Sequence, residues 1–239
     1  MTTDLFLSRA RLRSGQGEML SAIAPILMPN DENRRAALAH RIVWLLFQDV
    51  PNANRDFLWR DDGAGKYLIL SQRPPADPKD LFEIDTKPFT PALHEGDELR
   101  FVLRANPTVA RKGANETGPA GTRQRGKRVD VVMDRLSKLP KSDRAKGRDR
   151  VAAEAGRAWL NEQGSRAGFA PKTVVVGSYS QIDITDHERT RRRERAGISV
   201  MDLEGVLTIK DPAAFLTKLT TGFGAAKAFG NGLMLIRRI

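Results

Sequence analysis

His40 is the side chain of this sequence best suited to proton transfer near neutral pH. A helical wheel places Leu38, Ile42 and Leu45 on one face of its segment and His40 on the opposite face. Aromatic residues stand four and seven positions after the histidine. The pattern indicates a general base or acid at the wall of a cleft. The alternative is a histidine with a purely structural role in a helix packed between two domains.

The last 18 residues, GFGAAKAFGNGLMLIRRI, join a glycine-rich loop with one lysine to an apolar run. A P-loop requires Lys-Ser or Lys-Thr, and a dinucleotide fingerprint requires glycine where the lysine stands, so neither motif fits. Glycine permits positive φ and close approach to backbone N–H groups, which favours a phosphate site. The other interpretation is a tight helix-to-strand connection. The residues concerned are Gly222, Gly224, Lys227, Gly230 and Gly232.

The net charge of +11 is concentrated in two segments. Residues 111–150 hold 13 basic and 5 acidic side chains, and residues 188–195 hold 5 arginines and 2 glutamates. This concentration favours a polyanionic partner, with nucleic acid first, over an ordinary solvated surface. Because only 6% of the residues are aromatic, phosphate and shape recognition is favoured over stacking on single strands.

Several classes of protein are disfavoured by the composition. The sequence has no cysteine, and its three histidines, His40, His94 and His187, show no metal-ligand spacing. No apolar run approaches ~18 residues, and the first residues lack a signal-peptide pattern. We therefore expect a cytoplasmic protein without a metal or cofactor, long enough at 239 residues for one large or two small domains.

Hydrophobic periodicity predicts a β-α-β-β-α-β order over the first 90 residues, which is a ferredoxin-like unit. The predicted elements are a strand at 5–13, a helix capped by Asn30 or Asp31 and ending near Gln48, a hairpin at 56–72, a short helix from 77 and a strand at 82–89.

The second part of the chain repeats this order. Its predicted elements are strands at 99–107, 172–185, 197–210 and 232–239, with helices at 148–168 and 211–222. Residues 128–133 are predicted as a strand, residues 138–150 as a basic linker, and 186–196 as the tip of a long hairpin. We predict an α+β protein of two tandem ferredoxin-like domains with antiparallel sheets, residues 1–95 and 96–239.

The sequence resembles the CRISPR-associated repeat-processing endoribonucleases of the Cascade (type I-E) system, which belong to a repeat-associated RNA-binding superfamily. The matching stretches occur in family order and span nearly the whole chain: LFLSRARL, HRIVWLLF, RDFLWR, LRFVLRANP, DLEGVLTI and GFGAAKAFGNGLMLI. The last stretch is the most specific, because its G-x-G-x-A-K-x-x-G-x-G-L loop is a signature of the superfamily. The family histidine, four residues before tryptophan and seven before phenylalanine, falls on His40.

The resemblance implies a metal-independent endoribonuclease that binds the stem-loop of CRISPR repeat RNA and cleaves precursor CRISPR RNA. In that chemistry the 2′-OH attacks the adjacent phosphorus in line, leaving a 2′,3′-cyclic phosphate and a 5′-OH. The implied catalytic residue is His40, as general base or acid, without a metal or cofactor. The implied partners are the repeat RNA, the mature CRISPR RNA that stays bound, and the other Cascade subunits.

The resemblance also implies an RNA-binding surface that includes the terminal loop and the hairpin tip. Arg55 and Arg104 have the alternative of pairing with a nearby acid. The further implied RNA-binding residues are Arg41, Arg55, Arg104, Arg125, Lys127, Arg128, Arg189, Arg191, Arg192 and Arg193.

The sequence departs from the family pattern at two points. Many members carry a tyrosine one turn before the histidine, where this chain has Ala37, and the segment at 14–33 is longer than expected. A non-catalytic subunit that binds guide RNA, with a structural His40, is therefore the alternative. A general RNA binder of the ribosomal type would explain the charge, but not the histidine face together with the terminal loop.

Overall fold

The structure is a computed structural model that describes residues 4–13, 32–48, 55–77, 79–111, 127–184 and 197–239, with the backbone alone at 32–35 and 37. Its first half forms an antiparallel sheet of four strands in the order β2-β3-β1-β4. Read as 4-1-3-2, this is the ferredoxin-like order. The elements are β1 (Phe6–Leu12), α1 (Glu32–Leu45), β2 (Phe57–Asp61), β3 (Lys66–Ser71) and β4 (Phe82–Pro88).

Helix α1 packs on one face of this first sheet, although not through the predicted stripe. Of the three predicted core positions only Ile42 is buried, while Leu38 and Leu45 are partly buried. Because the whole segment is apolar, the wheel defines a broad arc, and packing against the sheet selects which part of the arc is buried. The buried side chains of this segment are Ala39, Ile42, Val43, Leu46 and Phe47.

The predicted short helix from residue 77 is wrong, because residues 79–81 form a turn and an extended approach to β4. The Asp77 carboxylate accepts a hydrogen bond from the Phe82 amide at 2.6 Å, and the Asp77 carbonyl accepts one from the Asp80 amide at 3.2 Å. An aspartate that bonds to its own local backbone stabilises a turn as readily as a helix start, which explains the error.

The second half repeats the ferredoxin-like order with a second antiparallel sheet, β10-β5-β9-β8. Between its first strand and its first long helix lies a two-stranded hairpin, β6 with β7. The elements are β5 (Glu98–Ala105), β6 (Thr108–Arg111), β7 (Lys127–Asp130), α2 (Val131–Leu136), α3 (Lys141–Arg166), β8 (Phe169–Asp183), β9 (Gly197–Ile209), α4 (Pro212–Thr221), a 3-10 turn (Lys227–Phe229) and β10 (Met234–Arg238).

Two predictions for this half are wrong. Residues 128–133 are a strand only to Asp130, whose carboxylate then caps α2 by accepting from the amides of Val132 and Met133. The predicted basic linker forms the first turns of α3, a helix of 26 residues. Its residues 141–150 bury no apolar side chain, so the sequence lacks the periodicity that would identify them as helical.

The two sheets meet through aliphatic side chains at the start of β10. Leu233 forms a buried cluster with Leu58 of β2 and Leu70 of β3, and Leu235 packs against it. The terminal strand of the second sheet thus contacts the first sheet. We propose that the two domains divide near residues 95 and 96, between β4 and β5. Of the helices in the described ranges, none combines the length and apolar character needed to span a bilayer.

Candidate active site

His40 meets the terminal turn across 188 residues of sequence. Its Nδ1 lies 2.8 Å from the carbonyl oxygen of Ala228, and the indole Nε1–H of Trp59 donates to the same oxygen at 3.2 Å. A carbonyl oxygen only accepts, so Nδ1 carries a proton. In the neutral imidazole the lone pair is therefore on Nε2, the nitrogen required of a general base.

Two aromatic rings hold the imidazole in place. The ring of Phe229 lies 5.4 Å from that of His40 between centroids, tilted by 36°, and Trp44 approaches edge-on at 6.4 Å. His40 itself is partly exposed. The result is a ring with a fixed orientation and one nitrogen committed to the protein, which is the arrangement expected of a positioned acid or base.

The surroundings of His40 favour its neutral form. Burial lowers its pKa below the ordinary value of 6.5, and the positive charges of Arg55 and Arg41 lower it further. The hydrogen bond to Ala228 acts in the opposite direction, because it stabilises the imidazolium. The net effect is a histidine that is unprotonated at neutral pH and able to accept a proton.

A group of cations surrounds this histidine at the junction of the two halves. The pKa of Lys227 is lowered by burial first, and then by the charges of Lys218, Arg55 and Arg128. Burial also lowers the pKa of Lys218, with a smaller effect of Arg166. Half-buried cations that repel one another are unfavourable by themselves and are stabilised by a bound anion.

Lys218 is a residue that the sequence reasoning missed. Its ammonium lies 5.2 Å from the centre of the Phe223 ring, on the last turn of α4. The signal available in the sequence was a lysine nine residues before Lys227 on a helix that leads directly into the glycine-rich loop. Also missed were the acceptor carbonyl of Ala228 and the ring of Phe229, because backbone groups and apolar rings carry no chemical motif.

Arg104 takes the alternative that the sequence left open, pairing with an acid. Its Nε and Nη2 donate to the two carboxylate oxygens of Asp202 at 2.9 and 3.0 Å, and Ser178 donates to the same carboxylate at 2.8 Å. Arg60, which sequence reasoning passed over, lies beside this pair, and burial lowers its pKa. Arg104 thus has a structural role that is independent of RNA.

The terminal loop needs glycine for its own packing. Gly224 has φ of +73°, and a Cβ there would lie 2.5 Å from the carbonyl oxygen of Asn106. Gly230 has φ of +74°, and its Cβ would lie 3.0 Å from the Trp59 ring. Both positions combine the left-handed region with close contact, so even alanine is strained. The tight-connection interpretation therefore accounts for these glycines without a ligand.

Some loop amides are already engaged in the protein. The Gly222 amide donates to the carbonyl of Lys218 at 2.8 Å, and the Gly232 amide donates to that of Arg104 at 2.8 Å. In this conformation these two N–H groups are not available to a phosphate, contrary to the sequence-based expectation. The same expectation for Gly224 and Gly230 stays a prediction.

The remaining candidate residues are dispersed. Arg41 is exposed next to His40 on α1, while Lys127 and Arg128 are exposed on β7. His94 lies near Asp97 on the surface, away from the site. Candidates outside the described residues are Arg125, His187, Arg189, Arg191, Arg192 and Arg193, and the side chain of Ala37 is likewise outside them. In the described ranges no group of three or more metal-ligating side chains is present.

Comparison with known proteins gives one consistent result. The chain is 27% identical over 202 residues to the CRISPR system Cascade subunit CasE of Escherichia coli K12, covering 82% of this chain and 88% of that protein. It is 29% identical over 157 residues to the CRISPR-associated endoribonuclease Cse3 of Thermus thermophilus, covering 63% of this chain and 60% of that protein.

A solved structure and a family profile extend this result to nearly the whole chain. The fold matches that of Thermus thermophilus Cse3 bound to an RNA representing a pre-cleavage complex, with a TM-score of 0.62 and 22% identity over 98% of this chain and 99% of that one. The profile of the family described as CRISPR associated protein matches residues 5–238. This protein therefore belongs to the CRISPR associated protein family.

Proposed function

We propose that this chain is an endoribonuclease that binds the stem-loop of CRISPR repeat RNA and cleaves precursor CRISPR RNA. The single observation that carries the proposal is the histidine with a fixed tautomer beside a group of buried cations: His40, with Arg55, Lys218 and Lys227. The names of the two curated relatives, a Cascade subunit and an endoribonuclease, agree with it.

The proposed reaction is a transesterification within the RNA. The 2′-oxygen forms a bond to the adjacent phosphorus and the bond to the 5′-oxygen breaks, which gives a 2′,3′-cyclic phosphate and a 5′-OH. Nε2 of His40 accepts the proton of the 2′-OH, and a proton is returned to the leaving 5′-oxygen. The lowered pKa of His40 supports the role of base over that of acid, because the unprotonated form prevails at pH 7.

The cations would act on the charge of the phosphate. Negative charge on the phosphoryl oxygens increases as the pentacovalent transition state forms, and cations held in advance stabilise it without reorganisation. Lys227 and Lys218 are half-buried, so a charge placed beside them is less screened by water than on an open surface. Arg41 and Arg128 lie further out and would hold the flanking backbone of the RNA.

The proposed partners follow from the same reasoning. We propose that the repeat RNA and the mature CRISPR RNA are ligands, and that the chain remains on its product as a subunit of a Cascade complex. The surface for the stem-loop would include Lys127 and Arg128 of β7 and the arginine-rich segment at 186–196. Metal independence is part of the proposal, since the chemistry requires only proton transfer and charge stabilisation.

The test uses the host's own CRISPR repeat RNA in EDTA. Cleavage at one position with a 2′,3′-cyclic phosphate end supports the proposal. A substrate with a 2′-deoxy nucleotide before the cut should bind equally and remain intact, because it lacks the nucleophile. Cleavage that is lost in EDTA and restored by Mg²⁺ would contradict metal independence.

A second candidate is favoured by one observation, the alanine at position 37. If the missing tyrosine has removed activity, the chain is a non-catalytic subunit that binds guide RNA. That candidate predicts tight, stem-specific binding and no cleavage under any condition. Binding that does not discriminate between stem sequences would contradict both candidates.

A further inference from the structure

Asn231 lies directly behind the turn that contacts His40. Its side chain is 1% exposed, and its Nδ2 donates to the carbonyl oxygens of Ala226 at 3.3 Å and Phe229 at 3.1 Å. Since both partners are carbonyls, the nitrogen rather than the oxygen of the amide must face the turn. The two bonds therefore tie the start of the turn to its end.

The turn held in this way is strained. Ala226 has φ of +51°, a left-handed conformation that costs a non-glycine residue about 1–2 kcal/mol. Such a conformation persists only where its surroundings fix it. The bond from Asn231 to the Ala226 carbonyl is one such constraint, and the amide of Phe229, which donates to the same carbonyl at 3.0 Å, is another.

Between the two residues that Asn231 holds lies Ala228, the acceptor for His40. Its carbonyl must point away from the turn to meet Nδ1 of His40 and Nε1 of Trp59. Asn231 Oδ1 is buried and contacts no donor among the described residues, so the contribution of this buried amide is its two donated bonds. Placing an amide here costs free energy that an apolar residue would not, which indicates that the shape of the turn matters.

We infer that Asn231 is a positioning residue: it holds the 226–229 turn so that the Ala228 carbonyl fixes the tautomer and orientation of His40. No contact between Asn231 and RNA is involved. The inference rests on the proposed function only for its effect on cleavage. Its effect on the imidazole is a property of the free protein.

The first experiment measures the tautomer of His40 without RNA. The three histidines are labelled with ¹⁵N, and the Nδ1 and Nε2 shifts of His40 are recorded at a pH where the ring is neutral. The wild-type protein is expected to show the Nδ1-protonated form. Asn231→Asp, which has the same shape but no proton to donate, and Asn231→Ala are expected to show a mixture of both tautomers.

Asn106 provides the matched control. It is also buried and contacts the same loop, since its carbonyl accepts from the Ala225 amide at 3.0 Å. Its side chain, however, donates to the Ser199 carbonyl at 2.7 Å and not to the turn. Asn106→Asp should lower the unfolding temperature without changing the tautomer of His40.

The second experiment measures single-turnover cleavage and repeat affinity. We expect the Asn231 variants to cleave between about 10-fold and about 100-fold more slowly, because a small misplacement of a catalytic group has that effect, with unchanged affinity. Asn231→Ser retains one donor, and is expected to fall between wild type and Asn231→Ala, even if the others fold poorly.

Three results would overturn the inference. The first is a fully Nδ1-protonated His40 in Asn231→Ala or Asn231→Ser. The second is an equal change of tautomer in Asn106→Asp, which would show general damage to the loop. The third is an altered tautomer with wild-type cleavage. If no variant and no wild-type protein cleaves RNA, the proposed function fails while the tautomer measurement still decides the role of Asn231.

Discussion

Nδ1 of His40 lies 2.8 Å from the carbonyl oxygen of Ala228, a backbone group 188 residues away in sequence. This bond joins helix α1 of the first sheet to the terminal turn of the second half. It also fixes which nitrogen of the ring can accept a proton. The site thus exists only when both halves of the chain are folded together.

Replacement of His40 by alanine should slow cleavage on the order of 10²-fold or more, the usual worth of a positioned acid or base. Repeat affinity should be nearly unchanged, because it depends on phosphate contacts of many basic side chains. The measurement is single-turnover cleavage beside a binding titration. His94→Ala, an exposed histidine away from the site, is the control. Cleavage near the wild-type rate would remove His40 from the mechanism.

The pH dependence of cleavage should reflect a base with a lowered pKa. Because the unprotonated imidazole is the active form, kcat/KM should rise with pH through a midpoint below 6.5 and stay level above it. Arg41→Gln or Arg55→Gln should move the midpoint upward, since each removes a positive charge that disfavours the imidazolium. A rate that falls as the pH rises through this range would indicate that His40 acts as an acid.

Lys218 should bind RNA phosphate together with Lys227. Lys218→Met removes the charge while keeping an unbranched chain over the Phe223 ring, so the fold should be retained. The slope of log K against log salt should decrease by roughly 0.7–0.9, the value for one phosphate contact. Lys210→Met, at an exposed lysine just before α4, is the control and should leave the slope unchanged. An equal effect of both substitutions would show only a general loss of charge.

Gly224→Ala should destabilise the fold by at least about 2 kcal/mol, because a Cβ would meet the Asn106 carbonyl at 2.5 Å in the left-handed region. Gly147→Ala on α3 is a useful contrast, since its Cβ would make an ordinary 3.6 Å contact with Leu139. That substitution should stabilise the helix by about 0.5–1 kcal/mol. Thermal and urea unfolding measure both. A stable Gly224→Ala that has lost RNA binding would restore the phosphate interpretation.

The arginine-rich segment at 186–196 lies outside the described residues, and its role stays a prediction from the sequence. Neutralising Arg191, Arg192 and Arg193 together should weaken stem-loop binding and flatten its salt dependence by roughly the number of phosphates released. The measurement is affinity over a range of salt concentrations. An unchanged salt slope would show that these side chains remain in solvent.

Much of the fold follows from local patterns that the sequence carries. Alternation in β1 and β5 and the Asp211-Pro212 start of α4 identify their elements, since each signal involves neighbours within a few residues. The first turns of α3 and the turn after Asp77 do not follow, because one lacks an apolar face and the other uses an aspartate equally suited to either structure.

The sequence also identified the chemically active residue type and the loop that meets it. His40, Lys227 and Arg55 are all recognisable as basic groups, and the order of family stretches relates them. Which of them stand together was decided by the tertiary structure. It brought Lys218 next to Lys227 and committed Arg104 to Asp202.

The tautomer of His40 could not be inferred from the sequence, because its acceptor is a backbone carbonyl. Every residue has such a carbonyl, so no side-chain pattern marks the one that matters. Its direction depends on the left-handed Ala226 and on a buried amide five residues later, at Asn231. Sequence determines which groups are available for chemistry, whereas their orientation depends on long-range packing that closes only in the folded chain.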